Sequence, residues 1–130
     1  MEKPQDTTLI VVTKQAVPVR AASALQSAAQ ALGYADGCQI IELADTGDLR
    51  SYIFGRDPWS VIAIDDTSIE ALRHAFELDR EAFSSDNPAH RAGYTLVAVP
   101  DFIDCLDDQD AKRIAWQRMK AAMHPGNPLD

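Results

Sequence analysis

The short run Leu-Ile-Val-Val-Thr at residues 9–13 is the feature that most constrains the fold. Its residues are aliphatic or β-branched, and no polar residue alternates with them before Thr13. A strand with this pattern is apolar on both faces, which is typical of a central strand in a parallel sheet covered by helices on both sides. The sequence therefore predicts an α/β fold organised around this strand.

Segments with strand and helix patterns alternate along the rest of the chain. The other predicted strands are Cys38–Leu43, Trp59–Ile64 and Tyr94–Val99. The predicted helices are Pro18–Leu32, Thr46–Gly55, a helix capped by Thr67 or Ser68 that reaches Phe76, and Asp108–Met123. Such alternation favours a parallel sheet with right-handed crossovers, so we expect a three-layer α-β-α arrangement. The polar segment Phe83–Ala92, which Pro88 interrupts, is predicted to be a loop.

Length and composition favour one soluble domain spanning residues 1–130. No apolar run approaches the roughly 20 residues that a membrane-spanning helix needs, so we expect no membrane association. The first eight residues are polar and lack the apolar segment of a secretory signal. The cytoplasm is therefore the expected location.

The formal net charge of -8 makes nucleic acid an unlikely partner, because binding to a polyanion depends on Lys and Arg at its phosphates. A basic patch formed by Lys112, Arg113, Arg118 and Lys120 would be the exception. The favoured alternative is that these side chains form the solvated face of the last helix. Two cysteines and three widely separated histidines form no metal-binding spacing, so we expect neither a metal nor a cofactor.

The carboxyl ends of the strands are where an open parallel sheet binds ligands, and they define the candidate binding cleft. Its predicted residues are Thr13, Lys14, Gln15, Asp65, Asp66, Asp101 and Phe102. Residues 13–18 contain no glycine, which excludes a P-loop and a dinucleotide-binding loop. The adjacent Asp65 and Asp66 could bind a metal or act as an acid and base. Alternatively, one of them caps the following helix while the other is solvated, and this is the favoured interpretation.

The last third of the chain carries a family resemblance. A strand that ends at Val99 and Pro100 is followed by the loop Asp101–Leu106 and the stretch Lys112–Trp116, which reads Lys-Arg-Ile-Ala-Trp. This order resembles the C-terminal part of the small, single-domain uracil-DNA glycosylases of bacteria. The resemblance implies a uracil-DNA glycosylase-like fold with a four-stranded parallel sheet in the order 2-1-3-4.

The sequence differs from that family at the motifs that carry out the family's catalysis. Thr13–Val17 stands where the family has a Gly-Glu-x-Pro-Gly type motif that holds and activates water, and Asp101–Ile103 stands where it has a His-Pro-Ser loop. The cysteines that bind an iron–sulfur cluster in some members are also missing. Without these electrostatic elements we do not expect catalysis.

The resemblance therefore implies a non-catalytic glycosylase-fold domain that acts in protein-protein interaction or self-association. The alternative is a small-molecule binder or enzyme, for a nucleobase or nucleotide-like ligand, that uses the cleft at the strand ends. A divergent glycosylase is the third interpretation.

Overall fold

The computed structural model describes residues 9–34, 37–100 and 102–122. The strands are β1 (Leu9–Thr13), β2 (Cys38–Glu42), β3 (Ser60–Ala63), β4 (Ala89–Arg91) and β5 (Tyr94–Ala98). The helices are α1 (Val19–Ala31), α2 (Leu49–Arg56), α3 (Asp66–Ala75), α4 (Phe102–Cys105) and α5 (Gln109–Met119). Short 3-10 turns follow β2 and α5 at Leu43–Asp45 and Lys120–Ala122. The predicted α/β character is confirmed.

The strands form a five-stranded mixed sheet in the order β2-β1-β3-β5-β4. β1 pairs in parallel with β2 and β3, and β3 pairs in parallel with β5. In this register Val11 lies between Ile40 of β2 and Ile62 of β3. All five residues of β1 are buried, as its apolar pattern predicts for a central strand.

The prediction of a four-stranded, wholly parallel sheet is wrong, because part of the predicted loop Phe83–Ala92 forms the antiparallel edge strand β4. Ala92 and Gly93 connect β4 to β5, with φ values of 58° and 89°. Two consecutive residues with positive φ match the right-handed twist of a two-residue hairpin. The usual Asn-Gly or Asp-Gly signal is absent here, and β4 is only three residues long. Its sequence therefore resembles that of a loop.

Two apolar cores lie on opposite faces of the sheet. One contains alternate residues of β1 such as Leu9 and Val11, and it packs against α1, α4 and α5. The other contains Ile10 and Val12 and packs against α2 and α3. Helices therefore cover both faces of the sheet. No helix in the described part of the chain is both long and apolar enough to cross a membrane.

The segment between α3 and β4 is tied to the second core. Phe83 is fully buried there, and its carbonyl oxygen accepts a 2.8 Å hydrogen bond from Arg73 Nε. Arg91 Nη1 donates to the carbonyl oxygen of Phe76 over 3.1 Å. These contacts hold the segment beside the carboxyl ends of β3 and β5, where it forms one wall of a cleft.

Candidate functional site

The structure brings together only part of the predicted strand-end site. At the end of β1, the Thr13 hydroxyl and the Lys14 backbone N–H contact Asp65, which follows β3, whereas the Gln15 backbone N–H donates to the Thr13 hydroxyl. Asp66 lies one residue further, in the first turn of α3, and is exposed.

Asp65 accepts hydrogen bonds from two elements. Its Oδ2 accepts from the Lys14 backbone N–H at 2.9 Å and lies 3.1 Å from the Thr13 hydroxyl. Its Oδ1 accepts from the Ser68 backbone N–H at 2.8 Å, and the Ser68 hydroxyl lies 3.3 Å from the Asp65 backbone N–H. The last two contacts form a capping box at the start of α3. Asp65 therefore joins the end of β1 to the N-terminus of α3.

Partial burial of the Asp65 carboxyl by itself raises its pKa. The hydrogen bonds from Lys14, Ser68 and Thr13 outweigh this effect and hold the pKa below its ordinary value. Asp65 is therefore a stably ionised carboxylate whose oxygens already have partners within the fold. This arrangement matches the interpretation in which one aspartate caps the helix and the other is solvated, although the cap is Asp65 rather than the predicted Thr67 or Ser68.

Phe102 lies in the core, with only 4% of its surface exposed. It begins α4 and packs in the apolar cluster shared with α1 and α5, next to Cys105 and Leu106. A phenylalanine after a strand has no polar group to keep it at the surface, so burial is the favourable outcome. The structure thus places Phe102 in the core rather than in an open cleft. Asp101 lies outside the described residues.

The depression at this edge of the sheet, which we call the strand-end cleft, has a volume of about 350 Å³. Within the described part of the chain, Asp66 is the only residue of the predicted site that lines this cleft. The other polar lining residues are Glu70, Arg73, Arg80, Ser84 and Ser85. Glu70 and Arg73 are three residues apart on a helix, a spacing that can be recognised in sequence. Arg80 and the two serines reach the cleft through the fold of the segment that follows α3.

Charges in the strand-end cleft compensate one another. Glu70 Oε1 accepts from Arg73 Nη1 at 2.7 Å, and Glu70 Oε2 accepts from Arg80 Nη2 at 3.3 Å. The hydrogen bond from Arg73 is the main reason that the pKa of Glu70 lies below its ordinary value. The cleft thus combines two carboxylates, two guanidinium groups and two hydroxyls, a set suited to a small polar ligand.

A second depression, which we call the α4–α5 groove, has a volume of about 370 Å³. Pro100, Cys105, Ala111, Ile114 and Ala115 form its apolar part, and Asp104, Asp108 and Arg118 contribute charge. Ile114 and Ala115 lie near one side of the last helix by their spacing in the sequence, but 52% of the surface of Ile114 is exposed. Ala115 is the residue that turns into the core.

Three of the four basic residues of the last helix have partners within the fold. Arg113 Nη1 lies 3.3 Å from Asp110 Oδ1, and Arg118 Nη2 lies 3.3 Å from Asp86 Oδ1. The Lys120 ammonium lies 6.0 Å from the centre of the Trp116 ring. These contacts fit a solvated helix face better than a phosphate-binding surface.

Neither cysteine has the environment of a reactive thiol. Cys38 and Cys105 are both buried, and burial raises the pKa of Cys38 to about 11 and raises that of Cys105. Both thiols are therefore protonated at neutral pH. Among the residues that the structure describes, no three His, Cys, Asp or Glu side chains are grouped to hold a metal ion.

Comparison with known proteins adds no relative. No protein-family model matches the chain, and neither a curated protein nor a solved structure is detectably similar to it.

Proposed function

We propose that this protein is a non-catalytic α/β domain on the plan of the uracil-DNA glycosylases, and that it binds another protein through the α4–α5 groove. The observation that carries the proposal is the apolar groove beside Ile114, a large side chain exposed over 52% of its surface. Apolar surface of this kind gains free energy when a partner removes it from water. Asp104 and Asp108 at the groove favour a partner segment that carries a basic residue beside its apolar one.

The glycosylase-like plan is supported by the strand order. The four parallel strands run β2-β1-β3-β5, which is the order that the resemblance implies, and Lys112–Trp116 lies on α5, the second helix after β5. The antiparallel β4 at the edge is an addition to that plan.

The absence of catalysis is supported by two loops. Thr13–Val17 stands in the water-activating position of the family, and here the Thr13 hydroxyl and the Lys14 backbone N–H bind the Asp65 carboxylate. The stretch 101–103 stands in the position of the His-Pro-Ser loop, and its Phe102 is buried. We therefore expect no release of uracil from a labelled oligonucleotide. Release that is lost in the Asp101→Ala variant would contradict the proposal.

The groove is tested by photo-crosslinking in cells that produce the full chain. A photoreactive amino acid at Ile114 should give one discrete protein adduct, because this side chain would lie against the partner. The matched control is the same amino acid at Val19, an apolar residue that is 83% exposed on α1. The adduct should disappear when Ala111→Glu fills the groove. Equal adducts from positions 114 and 19, or none from 114, would reject the groove as the binding surface.

The strand-end cleft supports a second candidate function, binding of a nucleobase or nucleotide-like molecule. Its volume of about 350 Å³ and its set of hydroxyl, carboxylate and guanidinium groups support this alternative. In a thermal-shift screen, a ligand at a hundred times its dissociation constant stabilises the protein by about 2.7 kcal/mol. The shift should fall in Arg80→Ala and persist in Arg50→Ala, an exposed arginine on α2. No shift across nucleobases, nucleotides and divalent metals would reject this candidate.

A further inference from the structure

β2 forms one edge of the sheet. Within the described residues it pairs on one side only, with β1. An open edge of this kind presents unpaired backbone groups to which another strand can add. The opposite edge, β4, is three residues long and contains His90 and Arg91, whereas β2 has five residues and the sequence Cys-Gln-Ile-Ile-Glu. β2 is therefore the edge better suited to strand pairing.

The side chain of Gln26 occupies the start of this edge. Gln26 Nε2 donates to the Cys38 carbonyl oxygen over 2.9 Å, and the Cys38 backbone N–H donates to Gln26 Oε1 over 2.9 Å. A primary amide offers one donor and one acceptor side by side, as the backbone of an adjacent strand does. Gln26 thus takes the place of a strand residue opposite Cys38.

The backbone next to Cys38 accommodates this contact. A Cβ atom on Gly37 would lie 2.2 Å from Gln26 Oε1, so any other residue would push the amide away. Gly37 also has a φ of +80°, which glycine adopts without strain. Both the missing side chain and the turn at Gly37 therefore serve the contact between Gln26 and β2.

The contact also shows which backbone groups face outward. The backbone N–H and C=O groups of Cys38 both point to Gln26 and thus away from β1. Because the direction of backbone groups alternates along a strand, those of Ile40 and Glu42 point outward as well, while those of Gln39 and Ile41 point to β1. The outer edge of β2 therefore consists of Cys38, Ile40 and Glu42.

We propose that β2 is a self-pairing edge that fits a second copy of this chain, and that Gln26 is the latch that keeps it closed. Two antiparallel β2 strands centred on Ile40 would pair Ile40 with Ile40, and Cys38 with Glu42 in both directions. This register forms about six backbone hydrogen bonds. About four of them use the N–H and C=O groups of Cys38, which Gln26 binds in the single chain.

The chemistry of the edge favours a second copy as the occupant. The register is symmetric, as a two-fold dimer requires. It places one β-branched side chain opposite another at its centre, and it sets each Glu42 opposite a neutral Cys38 rather than another carboxylate. This surface is separate from the α4–α5 groove, so neither proposal depends on the other.

The test is the Gln26→Ala variant of the full chain, studied by sedimentation velocity and light scattering over a range of concentrations. Gln26 is exposed on α1 and alanine is the best helix former, so the helix should be unaffected. We expect the dissociation constant of the dimer to fall by at least about tenfold. The control is Gln30→Ala, an exposed glutamine one turn later on the same helix, which should behave as the wild type.

Two further variants locate the pairing. Gly37→Ala should also favour the dimer, because its Cβ displaces the Gln26 amide from Cys38, although the positive φ at this position lowers the stability of the variant. Adding Ile40→Pro to Gln26→Ala should restore the monomer, because proline removes the central N–H of the edge. In the Gln26→Ala dimer, hydrogen exchange of the Ile40 amide should slow by at least about tenfold.

Two results would overturn the proposal. One is that Gln26→Ala stays as monomeric as the wild type, with unchanged exchange at Ile40. The other is a dimer of Gln26→Ala that persists when Ile40→Pro is added, since the copies would then pair elsewhere. A dimer that is also unaffected by Ile114→Ala but lost with Ile40→Pro would support the edge and separate it from the groove.

Discussion

At the scale of single residues, Asp65 and Asp66 are neighbours in the chain with different surroundings. Asp65 turns back over the end of β1 and accepts from Lys14 and Ser68, whereas Asp66 is exposed beside the strand-end cleft. Only the first carboxylate should therefore contribute to stability. The second is free to meet a ligand without loss of the fold.

We predict that Asp65→Asn lowers the free energy of unfolding by about 1 to 2 kcal/mol at pH 7, because an amide offers one acceptor where the carboxylate offers two. The matched control Asp66→Asn should stay within about 0.5 kcal/mol of the wild type. Urea denaturation of all three proteins measures both effects. An equal loss in both variants would contradict the capping role of Asp65.

The same carboxylate gives a pH dependence. The pKa of Asp65 is lower in the folded protein than the value of about 3.9 in an unfolded chain, so the folded state binds its proton less readily. Its stabilising contribution is therefore complete above the unfolded pKa and is lost as the pH falls through the folded pKa. The difference between wild type and Asp65→Asn should be constant from pH 8 to pH 6 and shrink below about pH 4. A difference that grows on acidification would refute this assignment.

Among the secondary-structure elements, the hairpin between β4 and β5 contains a residue in an unfavourable backbone conformation. Ala92 has a φ of 58°, a left-handed conformation that costs an alanine about 1 to 2 kcal/mol. The conformation persists because the pairing of β4 with β5 and the burial of Ala89 outweigh that strain. The turn is therefore decided by the sheet and not by its own residues.

Replacing Ala92 with asparagine should relieve the strain, since asparagine tolerates this conformation and creates the favoured Asn-Gly turn. We expect Ala92→Asn to raise the free energy of unfolding by about 0.5 to 1 kcal/mol. Ala92→Val should lower it, because a β-branched residue is strongly disfavoured at positive φ. Chemical denaturation of the pair provides the measurement, and a change of the same sign in both variants would argue against the hairpin geometry.

At the scale of the whole molecule, both apolar cores share one sheet. Leu25 of α1 lies in the first core and Leu72 of α3 in the second, while alternate residues of β1 belong to each. Neither core can lose β1 without exposing the other. The chain should therefore unfold as one cooperative unit, as the prediction of a single domain requires.

Leu25→Ala and Leu72→Ala test this expectation, since each leaves a cavity in a different core. Each should lower stability by about 2 to 5 kcal/mol while retaining one transition. Tryptophan fluorescence and far-ultraviolet circular dichroism should give the same midpoint for each variant. Two separate transitions, or a midpoint that differs between the probes, would show that the two faces unfold independently.

Features that depend on the local pattern of apolar residues could be predicted from the sequence. The apolar run at Leu9–Thr13 is buried along its whole length, and the alternating strand and helix patterns yield the four parallel strands and the larger helices, although not β4 or the short α4. Burial of a strand or a helix face is encoded by the spacing of neighbouring apolar residues. For that reason the α/β character could be predicted without any tertiary information.

Other features became visible only in the assembled fold, because they depend on contacts between separate segments of the chain. The capping contact of Asp65 with Ser68 is local, but its link to the end of β1 comes from Lys14, 51 residues earlier. The amide of Gln26 acquires its role from Cys38, and the loop-like β4 becomes a strand through β5. Hydrogen bonds act over about 3 Å, so the pairing that forms them is determined only when the fold brings the segments together.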